Sequence, residues 1–551
     1  MEGNMFKTSD THPLEINPVR IPHVKGLLGL TFCPGKKGEG MFSGTWNRDL
    51  DKDLRAIIDW GAEAMVSLVE EHEFSLLGVP EFRERLEKHS LQWFHLPIID
   101  VSTPGDRFEK AWAQQGHVIR GILARGGKVV LHCRGGLGRT GLLAARILTE
   151  FGMAPKEAID RVRGARPGAI ETMEQEQHVY DYQKRNQRRN LDHYLGCLLG
   201  GAIGDALGAA VEFNAIADIR NTYGDKGIRV YDEAYGRKGA ITDDTQMTLF
   251  TAEGLLRAAT RAHEKGFGPS FPSCTYSAYR RWLATQGEVE KDSIPMDGWL
   301  VTESGLFSRR APGNTCLSAI KSGVLYSLSG ENRQPNSSKG CGAVMRMAPV
   351  GLFVQSPFVC NIWGDKMRDE KAFEVGRDLG YLTHGHPDGY LPAAFLALLI
   401  GRLIDGDDLN TALDKSCEAL KVNDDGEETL AAIVKARELA ASRTVRPYPE
   451  TLQKMGEGWV GEEALAIAIY CALAAGADFD FGVRLAVNHG GDSDSTGAIA
   501  GNILGALLGR KAIGEEWLAQ LELRDVIEQI AVDLFLGFRD SEEWRDKYPG
   551  S

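Results

Sequence analysis

The sequence predicts two domains of different class, an α/β domain over residues 1–185 followed by an all-α domain over 191–540. Three observations predict this. A chain of 551 residues exceeds one ordinary hydrophobic core. Residues 128–148 read as a buried strand, a glycine-rich turn and a helix. Two distant stretches carry glycine at every fourth position, a helical spacing. Charge divides the chain at the same joint: residues 1–190 hold 27 Lys and Arg against 25 Asp and Glu (+2), and the remainder holds 36 against 51 (−15). The basic run "YQKRNQRRN" (182–190) marks the boundary. It reads as a solvated helix end, because the flanking domains are not basic enough to expect nucleic acid as a direct partner.

Composition sets the class of protein. Apolar residues make up 43% and charged residues 25%, values ordinary for a soluble globular chain. No basic-then-apolar leader is visible at the N-terminus. The most apolar run, "YLPAAFLALLIGRLI" (390–404), is interrupted by charge short of the roughly 20 residues a membrane span needs, so no membrane partner is expected. Nine cysteines without a repeating spacing suggest free thiols in a reducing compartment, hence a cytoplasmic location.

In the first domain, "KVVLHCRGGLGRTGLLAARIL" (128–148) places a cysteine at a strand end and a glycine-rich loop before an amphipathic helix bearing Leu142, Leu143 and Ile147. Successive loop N–H groups and the helix N-terminus make a cradle for an anion. The loop lacks the dinucleotide glycine spacing. The same cradle would favour a thiolate at Cys133. Arg139 would clamp two phosphate oxygens with its planar fork, and the Thr140 hydroxyl would ease thiolate departure. Cys33, a lone cysteine, reads as packing.

With "HCRGGLGRTG", the upstream "LPIIDVSTPGD" (96–106) and "RPGAIETMEQ" (166–175), most of residues 15–185 resembles the cysteine-based dual-specificity phosphatases, nearest the cyclin-dependent kinase-associated type. The resemblance implies that Cys133 is the nucleophile of a cysteinyl-phosphate intermediate and that Arg139 binds the phosphate. Asp100 would be the acid and later the base, with Asp106 a second candidate. It further implies a phosphate-binding loop of Arg134, Gly135, Gly136, Leu137, Gly138 and Thr140, with Gln175 orienting the hydrolytic water.

The second domain opens with "LGCLLGGAIGDALGAAVEF" (195–213), where Gly196, Gly200, Gly204 and Gly208 recur at helical spacing, as do Gly497, Gly501, Gly505 and Gly509. Each interior helix glycine costs about 1 kcal/mol relative to alanine. Close backbone approach of two helices deep in an all-α core would offset that cost. Asp205 and Glu212 are seven residues apart and so share one face of the first helix.

Two acidic groups follow the same logic. "GAITDDTQMTLFTAEGLLRAA" (239–259) reads as a helix whose first turn holds Thr242, Asp243 and Asp244, and "GGDSDSTG" (490–497) sets Asp492, Asp494 and Ser495 at another helix start. Either alone is an ordinary capped terminus. Together, four carboxylates and two hydroxyls beside closely packed helices would repel one another unless a hard cation held them. With neither His nor Cys inside the clusters, Mg²⁺ or Mn²⁺ suits better than zinc.

These segments, together with "APGNTCLSAI" (311–320), "SSKGCGAVMRMAPVGL" (337–352), "LTHGHPDGYL" (382–391) and "GWVGEEALA" (458–466), resemble the ADP-ribosylglycohydrolase family across nearly all of 191–540. The resemblance implies an all-α fold and two Mg²⁺ ions held by Thr242, Asp243, Asp244, Asp492, Asp494 and Ser495. Glu212 would stand near the metal entrance as gate or base. Gly340, Cys341, Gly342 and His384 would meet the ADP-ribose. His386, Tyr390 and Trp459 are weaker candidates, and regions around 262–300 and 405–456 read as variable excursions. The expected substrates are an ADP-ribosylated and a phosphorylated protein or small molecule. The leading expectation is a bifunctional hydrolase. The alternatives are two sites acting in sequence on one phosphorylated ADP-ribose substrate, and a non-enzymatic reader.

Overall fold

The computed structural model describes residues 6–21, 25–40, 44–89, 91–151, 153–185, 190–266, 268–360, 363, 365–423, 425–442 and 448–550. Part of the basic boundary run, 186–189, lies outside the described residues. The chain separates into two compact units, Met1–Asn190 and Leu191–Ser551.

The first unit contains strands β1 (Asn17–Arg20), β2 (Leu27–Phe32), β3 (Lys37–Gly40), β4 (Gly44–Asn47), β5 (Ala64–Ser67), β6 (Gln92–His95) and β7 (Lys128–Cys133). Five of them form a mixed sheet in the order β1-β2-β7-β5-β6, and β3 and β4 make a separate hairpin. Only β1 runs antiparallel to its sheet neighbour. Central β7 is buried from Val129 onward, as expected of a parallel strand covered on both faces. The glycine-rich turn leaves from its carboxyl end, where open α/β sheets place their ligands. Cys33 lies fully buried in a core with Leu54, Ile57, Met65, Phe74 and Val130. Buried His132 on β7 meets Ser67 Oγ through Nε2 at 2.6 Å, and Trp93 donates to the same hydroxyl. Burial pushes the His132 imidazole down to about 3.

The helix after the turn, Gly138–Glu150, departs from the amphipathic expectation: it is buried from Gly138 through Thr149. The helices Pro155–Ala165 and Met173–Arg185 cover the side that the sequence leaves polar. Its Arg146 is enclosed there, ion-paired to Glu109 and Glu150 and set 3.8 Å from the Tyr182 ring centroid.

The second unit is largely helical, built around the packed pair Leu191–Gly208 and Ser493–Leu508. A Cβ at Gly196 would come within 3.0 Å of Gly505 backbone, at Gly200 of Gly501, at Gly204 of Gly497, and at Gly208 of Ser493 and Asp494. Three glycines of one series therefore face three of the other, with the helices antiparallel. Between them, buried Asn502 donates to the Cys197 carbonyl at 2.8 Å beside Gly201. The first helix stops at Gly208, so Glu212 stands in the turn beyond it and not on the helix face the spacing predicts.

Two further expectations change. Helix Phe271–Thr285 is no excursion: it packs on helix Asp243–Lys265, with Tyr279 and Trp282 fully buried and Trp282 Nε1 donating to Gln246. Helix Glu427–Ala441 does lie at the periphery, with only Thr429, Ile433 and Ala436 buried. Helix Pro387–Asp405 is long and apolar enough to cross a membrane by length and composition, its charges Asp388, Arg402 and Asp405 falling near its two ends. Within the protein, 94% of its apolar window is buried, as in a core helix.

Three outcomes follow. Gly204→Ala destabilises the second unit by about 3 kcal/mol in urea unfolding, overpacking outweighing the helix propensity gained. Gly164→Ala, where an added Cβ meets nothing within 4 Å, stabilises instead by up to about 1 kcal/mol. His132, depressed below its ordinary 6.5, contributes stability that is complete above pH 6.5 and is lost as pH falls toward about 3. The stability difference between the parent and His132→Gln should shift with pH inside that window and be flat above it.

Candidate active sites

In the first unit, β7 and helix Gly138–Glu150 position the cysteine and the arginine of one loop. Cys133 Sγ is buried and accepts the Gly136 N–H at 3.3 Å. Gly136 has φ 72° and lies so close to Thr31 that a Cβ would strike its backbone, which is why glycine is required there. The Gly138 N–H, first of the helix, donates to Glu171 Oε2 at 2.8 Å, and the Leu137 carbonyl accepts Gly141 N–H. Arg134 and Gly135 lie on the exposed outer side of the turn. The Thr140 hydroxyl is buried and has no hydrogen-bond partner among the described residues.

Arg139 is fixed from behind. Its Nη1 and Nη2 donate to Glu73 at 2.6 and 2.9 Å, and Nη1 also reaches the Ile98 carbonyl at 2.9 Å. Burial opposes the charge, but the Glu73 hydrogen bond and neighbouring anions hold the guanidinium above its usual range. Asp100 reaches the same group, Oδ1 at 2.9 Å from Nη2, and is 44% exposed. A carboxylate within one residue's reach of the loop and open to solvent can exchange protons with a leaving group. Asp106 instead begins helix Asp106–Ala124, exposed. Gln175 is buried against the loop, its Oε1 accepting Glu171 N–H at 3.0 Å and its Nε2 donating to Ser102 O at 3.2 Å.

In the second unit, the two acidic helix starts meet the first helix. Thr242 caps Asp243–Lys265 by accepting Asp244 N–H, and its own N–H donates to both Asp205 oxygens at 3.0 Å. Asp205 also takes the Thr245 N–H at 3.1 Å and the Thr245 hydroxyl, so a neighbouring helix finishes the capping. Asp243 Oδ2 accepts Gly313 N–H at 3.4 Å. Asp492 caps the helix Ser493–Leu508, Oδ1 accepting Ser495 N–H at 3.3 Å, and Asp494 Oδ1 accepts the same N–H at 3.0 Å. Capping and convergence thus coexist. Burial, and next Asp494, push Asp205 up to about 7. Burial, then Asp494, Asp492 and Asp243, push Glu212 up to about 11. Burial and the same neighbours hold Asp243, Asp244 and Asp492 well above the usual carboxylate range.

A distant loop closes over these acids. Cys341 Sγ donates to Asp492 Oδ2 at 2.7 Å and lies 3.6 Å from Ser495 Oγ. The sequence clusters contain no sulfur, but the fold brings one to them. Gly340 and Gly342 flank it, both with His384 within 3.4 Å of a virtual Cβ. Buried Arg346 holds the loop from beneath, donating to the Gly342 carbonyl, to Tyr279 Oη at 2.8 Å and to Thr383 Oγ1 at 2.8 Å; Thr383 in turn meets His384 Nδ1. Burial depresses His384 to about 3, so it is neutral. His386 does not join the site; it caps helix Pro387–Asp405 through Nδ1. Tyr390 packs edge-on against Tyr381. Trp459 is 37% exposed and stacks on Phe213, which follows Glu212 with φ 68° and is 69% exposed.

The donors fit divalent cations in their chemistry. They are carboxylate and hydroxyl oxygens, and Asp244 Oδ1 and Glu212 Oε2 are buried with no hydrogen-bond partner among the described residues. Among those residues no group of three or more His, Cys, Asp or Glu side chains stands as a finished ligand cluster. Several of the oxygens turn instead to nearby backbone N–H groups. Sequence reading did not single out Glu73, Glu171, Arg346 or Phe213. Only Phe213 had a local signal, an aromatic beside a candidate acid.

Comparison with known proteins finds relatives of both units. Residues 186–543 match the family model described as ADP-ribosylglycohydrolase, and residues 40–153 match one described as polymorphic toxin system, DSP-PTPase phosphatase. Cyclin-dependent kinase inhibitor 3 of Mus musculus is 26% identical over 193 residues, covering 33% of this chain and 88% of the relative. ADP-ribosylarginine hydrolase Tri1 of Serratia proteamaculans is 24% identical over 301 residues, covering 54% and 67%. A solved ADP-ribosylglycohydrolase-related protein complex covers 64% of this chain and 98% of its own at 26% identity, with a TM-score of 0.43. The first family model spans more than half of the sequence, and the chain therefore belongs to the ADP-ribosylglycohydrolase family, with a dual-specificity-phosphatase-like domain preceding that unit.

Proposed function

We propose that the protein is a bifunctional hydrolase, cleaving phosphate monoesters at Cys133 and the glycosidic bond of ADP-ribosyl groups at the carboxylate centre. The observation that carries the second activity is the convergence of Asp243, Asp244, Asp492 and Asp494 from two remote helix starts into one buried group, in which the Asp494 charge adds to burial in raising the proton affinity of the other three. Such crowding is destabilising unless the site works on something that relieves it.

In the first unit, the loop N–H groups and Arg139 orient the phosphate so that Cys133 Sγ attacks phosphorus in line. Asp100 gives its proton to the departing oxygen. Asp100 then takes a proton from the water that Gln175 positions, the water oxygen attacks phosphorus, and the S–P bond breaks to release inorganic phosphate and return the Cys133 thiolate. The unpartnered Thr140 hydroxyl is free to stabilise the returning thiolate.

In the second unit, Thr242, Asp243, Asp244, Asp492, Asp494 and Ser495 would hold Mg²⁺ or Mn²⁺, which when bound supplies Lewis-acid polarisation of water and of ribose hydroxyls. The remaining negative charge favours an oxocarbenium-like transition state. Gly340 and Gly342 let the Cys341 loop lie close against His384, whose neutral ring offers a hydrogen bond without adding charge. Glu212 holds a proton at the mouth while the centre is cation-free.

Cys133→Ser should lower release of phosphate from an aryl phosphate by at least ~10³-fold while ADP-ribose release from a modified substrate continues. Asp492→Asn or Asp494→Asn should do the reverse, lowering ADP-ribose release by at least ~10²-fold. EDTA should stop ADP-ribose release, and added Mg²⁺ or Mn²⁺ should restore it. Release that is indifferent to chelation overturns the metal assignment.

A further inference from the structure

Two cations beside the Cys133 loop lack the counter-charge that the fold supplies to their neighbours. Lys36 lies in the turn after β2, a strand whose last residue, Phe32, is the register partner of Cys133. The Lys36 N–H donates to the Cys33 carbonyl, and the Cys33 N–H donates to the carbonyl of Arg134, first residue of the loop. Its Nζ sits 4.4 Å from the Phe32 ring centroid and 4.6 Å from that of Trp46, half-buried, with no ion pair among the described residues. Arg166 approaches from the opposite side of the chain's order: Nη2 donates to the Gly135 carbonyl in the loop at 3.1 Å and Nη1 to Asn17 Oδ1. Its Nε is buried without a partner among the described residues, and Glu15 acts on it electrostatically.

The contrast with adjacent arginines is informative. Arg48, which faces the same two rings, is held by both oxygens of Asp53, and Arg139 by both oxygens of Glu73. Among the described residues Lys36 and Arg166 have no such carboxylate, and each acts electrostatically on the Cys133 sulfur. Burial depresses both, Lys36 to about 8. An unpaired half-buried cation is costly in the empty protein and becomes favourable when an anion arrives. Cation–π contacts hold the Lys36 ammonium in place, so little side-chain freedom is lost on binding.

Resting on the phosphatase reading of Cys133, we infer that Lys36 and Arg166 form a second anion subsite beside its loop, so that this unit takes small molecules carrying two phosphate groups. One phosphate occupies the loop over Cys133 and the other neutralises the two cations. Arg134, exposed at the loop's start, already faces Asp100 at 4.0 Å and is left out of the subsite.

The test uses the full chain carrying Cys133→Ser, titrated calorimetrically in EDTA with inorganic phosphate and with pyrophosphate. Pyrophosphate should bind at least ~10-fold tighter than phosphate, as one added charge-assisted contact predicts. Lys36→Met should shrink the margin below ~3-fold, and Lys36→Arg should keep it. Lys36→Met should also raise the unfolding temperature, which separates a lost subsite from a damaged fold. Equal affinities in the parent, or a margin that Lys36→Met leaves intact, overturns the proposal. The second result would also expose pyrophosphate binding elsewhere in the chain. Turnover of adenosine 3′,5′-bisphosphate against adenosine 5′-monophosphate by the Cys133 protein reads the parent assignment separately. If neither is hydrolysed while the Lys36-dependent margin stands, the phosphatase reading fails and the anion subsite survives.

Discussion

The second unit depends on one contact, backbone against backbone, between helices Leu191–Gly208 and Ser493–Leu508. Glycine opposite glycine removes every side chain that would hold the axes apart. Where the ridge ends, Gly208 lets the Ser493–Asp494 turn settle directly on the first helix. Asp205, one turn earlier on that helix, gathers the N–H groups of Thr242 and Thr245. A packing device and an acidic centre are therefore one object: acids from helix starts some 250 residues apart in the chain meet because the helices beneath them touch. The energy lost to glycine in helix interiors, about 1 kcal/mol each, is recovered as close dispersion contact.

The first unit solves a different problem. A guanidinium that must face an anion is buried at the root of a helix, and a charge taken out of water needs a partner. Glu73 supplies it with two hydrogen bonds, leaving one edge of the fork toward Asp100. The arginine is thus rigid before any ligand arrives, which lowers the entropy lost on binding.

What could be read from the sequence is what is local. Glycine every fourth residue, hydroxyl and acid in a first helical turn, and cysteine then arginine across a glycine loop are patterns within a few residues, and their elements stand where they were expected. What escaped depends on long separations. Glu73 reaches Arg139 across 66 residues, and Cys341 reaches Asp492 across 151. The second of these undercuts the inference from clusters free of sulfur. Helix Phe271–Thr285 falls in a region read as an excursion, yet it belongs to the core because Tyr279 and Trp282 spend their polar atoms on buried partners. Glu212 falls off the expected helical face because Gly208 ends the helix four residues before it.

A ridge with a four-residue repeat is degenerate. Sliding one helix by a single step, about 6 Å along its axis, again sets glycine against glycine and meets little steric resistance. Asn502 breaks that symmetry, since its amide finds the Cys197 carbonyl, beside Gly201, in only one phase. A buried amide in the wrong phase would be left unsatisfied, a loss comparable to a whole hydrogen bond. One asparagine thus acts as the key to a lock that the glycines alone leave open, and the spatial meeting of the acids is inherited from it.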